Sequence, residues 1–70
     1  MSSRNLILLI AAEMNRKPEQ MEKFITELED NMIDTVENMQ ELTDSNYKDM
    51  GFPIGLTNKI KLKIKDLCGS

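Results

Sequence analysis

The feature that most restricts the fold of this 70-residue chain is the C-terminal segment Asn58 to Leu67, NKIKLKIKDL, in which apolar and charged residues alternate. Alternation is the pattern of a half-buried β-strand, and Ile60, Leu62 and Ile64 would then share one face. A strand needs a neighbour, however, and the rest of the chain carries helical punctuation and offers none. At about 100° per residue, Leu56, Ile60, Ile64 and Leu67 fall on one line, so the same letters make a helix with a coherent buried stripe. Leu62 then points away from the core, flanked by Asn58, Lys61 and Lys65, while Lys59 and Lys63 border the stripe on its other side. The helical reading makes the whole chain all-α.

Upstream, Asn5 to Asn15 is almost continuously apolar, and its leucines and alanines favour helix over strand. A helix greasy on every side has to be covered, so residues 1–17 are expected to join the bundle or to be appended to it and covered by a partner. Pro18 suits the first position of a second helix, with Glu19 and Glu22 in its first turn. Met21, Phe24, Ile25 and Leu28 form the inner stripe of that helix, and Asn31 is expected as its left-handed stop. Asp34-Thr35-Val36-Glu37 has the form of a capping box, with Asp34 as the cap of a short helix. That helix turns Val36, Met39 and the edge of Gln40 inward and ends near Leu42. Thr43 is expected to cap a further helix through Tyr47 and Met50, closed by Gly51. Residues 18–68 complete a single domain.

A chain this short buries only roughly 60% of the surface its unfolded form exposes, which leaves little core for a deep active site. It has one cysteine, Cys68, and therefore no disulfide, so a reducing, cytoplasmic setting is expected. Histidine and tryptophan are absent. Soft-metal ligand sets and histidine-based acid, base or nucleophile arrangements are then missing, which argues against an enzyme and against any metal or cofactor. Arg4 followed by Leu6 to Ala12 imitates the start of a secretory signal, but the apolar run is at the bottom of the length range and too short to span a bilayer.

The net charge of -3 hides a polarity along the chain. Residues 1–18 carry +2; residues 19–49 carry ten acids against Lys23 and Lys48, or -8; residues 50–70 carry four lysines against Asp66, or +3. An acidic middle and a basic end attract each other between molecules.

The run Asn31-Met32-Ile33-Asp34 is followed by Leu42-Thr43-Asp44, by Tyr47-Lys48-Asp49-Met50-Gly51-Phe52, and by Gly55 with Lys59-Ile60 and Ile64 behind it. This order closely resembles the sterile alpha motif (SAM) domain. That family is typified by an N-x-I-D turn, an L-T-x-x-D/Y-L-x-x-M/L-G-I/F helix and a G-x-x-x-K-I opening of the last helix. The resemblance covers about Met21 to Leu67; the tryptophan usual near the start of the family's first helix is absent, and the last helix is short. It implies a small five-helix orthogonal bundle that acts as a protein-interaction module, commonly within a larger scaffold, signalling, cytoskeletal or regulatory protein.

Domains of this family pair with a second copy or with another SAM domain. An acidic mid-loop surface on the central helices of one meets a basic end-helix surface at the start of the last helix of the other. Carried onto this sequence, the end-helix surface is Gly55, Leu56, Thr57, Asn58 and Lys59, with Lys63 one turn on. The mid-loop surface is Glu37, Glu41, Asp44 and Asp49, with Tyr47 buried or at its edge. The plainer alternative is that these charges are a solvated face, since exposed ion pairs contribute only about 0 to 1 kcal/mol. A minority of SAM domains bind RNA hairpins, and Lys59, Lys61, Lys63 and Lys65 motivate that alternative. At helical spacing those lysines diverge, the helix has no arginine and the whole chain is acidic, so nucleic acid is disfavoured.

Overall fold

The alternating C-terminal segment is helical. In the computed structural model, which describes residues 1–68, it forms most of α5 (Ile54–Leu67). Four helices precede it: α1 (Ser3–Glu13), α2 (Pro18–Asp30), α3 (Val36–Met39) and α4 (Asp44–Asp49). No strand forms among the described residues; one isolated antiparallel bridge joins Ser2 to Thr35.

Side chains set most of the helix starts. Ser2 Oγ accepts the N–H of Asn5 at 3.1 Å and begins α1. Gln20 Oε1 accepts the N–H of Lys17 at 3.2 Å ahead of Pro18, the first residue of α2 as expected. At α4 the capping box is reciprocal: Thr43 Oγ1 accepts from Asn46 N at 3.1 Å, and Asn46 Oδ1 accepts from Thr43 N at 2.9 Å.

The start of α3 corrects the sequence reading. Thr35, not Asp34, is the cap residue, its Oγ1 accepting the N–H of Asn38 at 3.1 Å. The reason lies outside the helix. The Asp34 carbonyl accepts the N–H of Ser3 at 2.8 Å and Val36 N–H donates to the Met1 carbonyl at 3.0 Å, so the N-terminus holds this segment extended through Thr35. The helix also closes at Met39 rather than near Leu42, and Gln40 is exposed rather than turned inward.

Three helices end in the same hydrogen-bonded turn. Arg16 N donates to Ala11 O, Ile33 N to Leu28 O and Phe52 N to Tyr47 O, each bond spanning the last turn and the reversal after it. The motif needs one left-handed residue. Those positions are Asn15 (φ 57°), Met32 (φ 61°) and Gly51 (φ 82°). Asn31 was the expected stop of α2; it stays at φ -95° and instead donates from its Nδ2 to the Glu27 carbonyl at 2.8 Å.

The inner stripes of α2 and α5 meet α1. Leu6, Ile7, Ile10 and Ala11 are buried in the same cluster as Met21, Phe24, Ile25 and Leu28, with Leu56 and Ile60 closing it from α5. The first helix therefore packs within the bundle, and the Cα radius of gyration of 10.9 Å matches the about 11 Å of a folded chain this size. Phe52 links the layers through its ring, 5.1 Å from Phe24 and 5.6 Å from Tyr47 between centroids. The stripe on α5 fades toward the C-terminus: Ile64 is half-buried and Leu67 is 47% exposed, because the helix outruns the elements it packs on. Leu62 points outward as its spacing dictates.

Candidate functional site

The start of α5 differs from every other helix start in this chain. Pro53 occupies the cap position, supplies no side-chain acceptor, and no acid stands in the first turn. The Thr57 hydroxyl, which could have reached toward solvent, donates back to the Pro53 carbonyl at 3.1 Å. Among the described residues no side chain caps the first N–H groups of α5, and the positive end of the helix dipole lies behind them. Gly55 is exposed, and a Cβ placed on it would meet no atom within 4 Å. Nothing inside the domain requires glycine there, although glycine costs a helix about 1 kcal/mol relative to alanine. Asn58 and Lys59 are exposed beside it, and Lys59 makes no ion pair among the described residues.

Two of the residues placed on this surface lie elsewhere. Leu56 is buried and holds α5 to the core. Lys63 is tied to α1, with its Nζ 2.5 Å from Glu13 Oε2 and its side chain 20% exposed. Ile54 was not anticipated: it opens α5 at 80% exposure and puts an apolar side chain at the uncapped end. The signal was present in the sequence, since a residue directly after Pro53 and four before Asn58 falls off the Leu56–Ile60 stripe.

On the acidic side, Glu37, Glu41 and Asp49 are exposed and make no ion pair among the described residues. Asp44 is exposed too, but Lys61 Nζ lies 2.7 Å from its Oδ1. Tyr47 belongs to the core: it is buried, and its hydroxyl donates to the Met39 carbonyl at 3.3 Å. Burial pushes the phenol up to about 12, and the negative charge of Asp44 adds in the same direction. The acids of α2 are partly neutralised by Arg4, which reaches Glu22 at 2.9 Å and Glu29 at 3.4 Å. Those hydrogen bonds, Glu22 first, raise the Arg4 pKa.

An apolar side chain also stands among the acids. Met32, in its left-handed conformation between α2 and α3, is 82% exposed, with Asp30 and Asp34 two residues to either side. Of the four alternating lysines, Lys61 and Lys63 are in ion pairs with Asp44 and Glu13, so they do not combine with Lys59 into one free basic face.

A groove of about 530 Å³ opens beside the start of α5, floored by Met21, Phe24 and Leu56 and edged by Pro53 and Gly55. Arg16 and Lys23 stand on its rim, with the Lys23 ammonium 5.1 Å from the Phe24 ring centroid. No helix among the described residues is long and apolar enough to cross a membrane. Compared with models of known protein families, with curated proteins and with solved structures, the chain matches none.

Proposed function

We propose that this chain is a SAM-type orthogonal bundle serving as a protein-interaction module, without enzymatic activity, that pairs with a second copy or with another SAM domain. In this reading it is one part of a larger scaffold, signalling or cytoskeletal protein and works in the cytoplasm. The observation that carries the reading is the start of α5. A helix of 14 residues opens to solvent with no acid of its own in the first turn and an exposed glycine that its fold does not need. Lys59 follows one turn later. A carboxylate from a partner would satisfy the open N–H groups and the dipole, and the missing Cβ at Gly55 would let the partner's backbone come close. Glu37, Glu41 and Asp49, exposed and without ion pairs among the described residues, are carboxylates of the required kind.

The RNA-hairpin alternative draws on Lys59, Lys61, Lys63 and Lys65. It loses support because Lys61 and Lys63 already neutralise acids of their own chain. Sedimentation over a range of concentrations at moderate salt tests the main reading. Lys59→Glu is expected to weaken self-association by about tenfold or more, as a charge reversal against an acidic partner surface does. Lys65→Glu, nearly two turns further along α5, is expected to change it little. A wild-type chain that stays strictly monomeric at high concentration removes self-pairing and leaves a different SAM domain as the partner.

A further inference from the structure

We infer that Met32 is the apolar plug of this self-association and that the groove between the first half of α2 and the start of α5 is its socket on the next copy. The inference rests on the self-pairing reading above and assigns the contact that would give it direction.

Met32 combines two costs that its own domain does not recover. It is a large apolar side chain at 82% exposure, and it occupies a left-handed backbone position (φ 61°) where glycine or asparagine is the ordinary choice. A methionine is long, unbranched and polarisable, and so adapts to an irregular apolar slot. The groove offers such a slot. Its floor is formed by Met21, Phe24 and Leu56, and the sulfur of an inserted methionine against an aromatic ring is a favourable contact.

The charges around plug and socket are opposite. Asp30 and Asp34 bracket Met32, and Glu37 follows on α3. Arg16 and Lys23 line the groove; Glu19 shares the rim and leaves it net positive. Lys17 and Lys59 lie on the adjoining segments, with Lys17 at the cap of α2 and Lys59 on the helix whose first turn forms one wall.

The two features stand at opposite ends of α2. Groove residues Met21 to Phe24 lie in its first half and Met32 lies just past its last turn. The axial separation from Met21 to Met32 is roughly 16 Å at 1.5 Å per residue, farther than a methionine side chain extends. A chain cannot fill its own groove, so each copy presents one plug and one socket. The contact is heterologous and propagates unless the rotation closes a ring.

The test uses Met32→Asn. Asparagine is favoured in the left-handed position, so the substitution removes the apolar group without disturbing the turn. In sedimentation, Met32→Asn is expected to weaken association by at least about tenfold, the effect of deleting a central apolar anchor. The double variant Arg16→Glu, Lys23→Glu keeps the plug and spoils the socket, and is expected to be weakened as well. Mixing the two variants leaves one intact plug and one intact socket, and a 1:1 dimer that grows no further is the expected result. If the wild type associates, Lys59→Glu abolishes it and Met32→Asn associates normally, the plug is wrong while the pairing reading stands. If the wild type does not associate at all, self-pairing falls first and the plug with it. Failure of the mixture to dimerise overturns the plug-and-socket assignment.

Discussion

Lys61 Nζ on α5 lies 2.7 Å from Asp44 Oδ1 in the first turn of α4, which closes an ion pair between the basic end and the acidic middle inside one molecule. The two side chains are 52% and 73% exposed, so the pair contributes less than about 1 kcal/mol to stability. Its larger effect is on charge: one acid of the proposed mid-loop surface is already answered before any partner arrives.

Lys61→Met should therefore lower the melting temperature by less than about 7 °C. With Asp44 released, association through the acidic surface should strengthen by about two- to threefold, the equivalent of roughly half a kcal/mol. Thermal melting and sedimentation of the same preparation check both halves, and weaker association in the variant would exclude Asp44 from the contact.

Tyr47 makes alkaline stability readable. Its phenol titrates at about 12 in the folded chain against an ordinary value of 10, chiefly because the ring is buried. A folded value above the unfolded one means the contribution is complete below pH 10 and is lost as pH rises from about 10 to about 12, up to roughly 2 to 3 kcal/mol. Tyr47 is the chain's one tyrosine, so tyrosinate absorbance reports it without overlap. Tyr47→Phe should flatten this limb of the stability profile; an unchanged profile would mean that other groups govern it.

The left-handed positions predict opposite outcomes for two substitutions. Met32→Gly removes the strain of a side chain at φ 61° and should stabilise the domain by about 0.5 to 1 kcal/mol, part of the relief being offset by the greater freedom of glycine when unfolded. Gly51→Ala imposes the same strain at φ 82°. A Cβ there meets no atom within 4 Å, so the cost is conformational alone, about 1 kcal/mol. Urea unfolding of both variants measures the pair; a destabilised Met32→Gly would show that the side chain holds its loop in place.

Much of the architecture was legible because it depends on local chemistry. The Met21, Phe24, Ile25, Leu28 stripe, Pro18 at the first turn of α2, the Thr43 cap and the Gly51 stop all stand where spacing and residue type put them. Apart from the stop of α2 at Met32 and the early end of α3, the errors arise where distant segments intervene. Asp34 lost the capping role to Thr35 because the N-terminus pairs with that segment. Leu67 obeys the stripe but lies beyond the neighbours that would bury it. Lys63 has the right position for a partner surface, yet Glu13, fifty residues earlier in the chain, claims it.

For this chain, then, periodicity and punctuation by themselves determined that it is helical, where its helices begin and end to within about three residues, and which way Leu62 points. A backbone period of 3.6 residues acts on every segment independently, so it can be read without knowing the rest. Which charges stay open to a partner was decided only by the tertiary structure. Folding placed Lys61 on Asp44, Lys63 on Glu13 and Arg4 on Glu22 and Glu29, and left Lys59, Glu37, Glu41 and Asp49 without ion pairs among the described residues. Coulomb attraction depends on distance through space, and that distance exists only once the helices have packed.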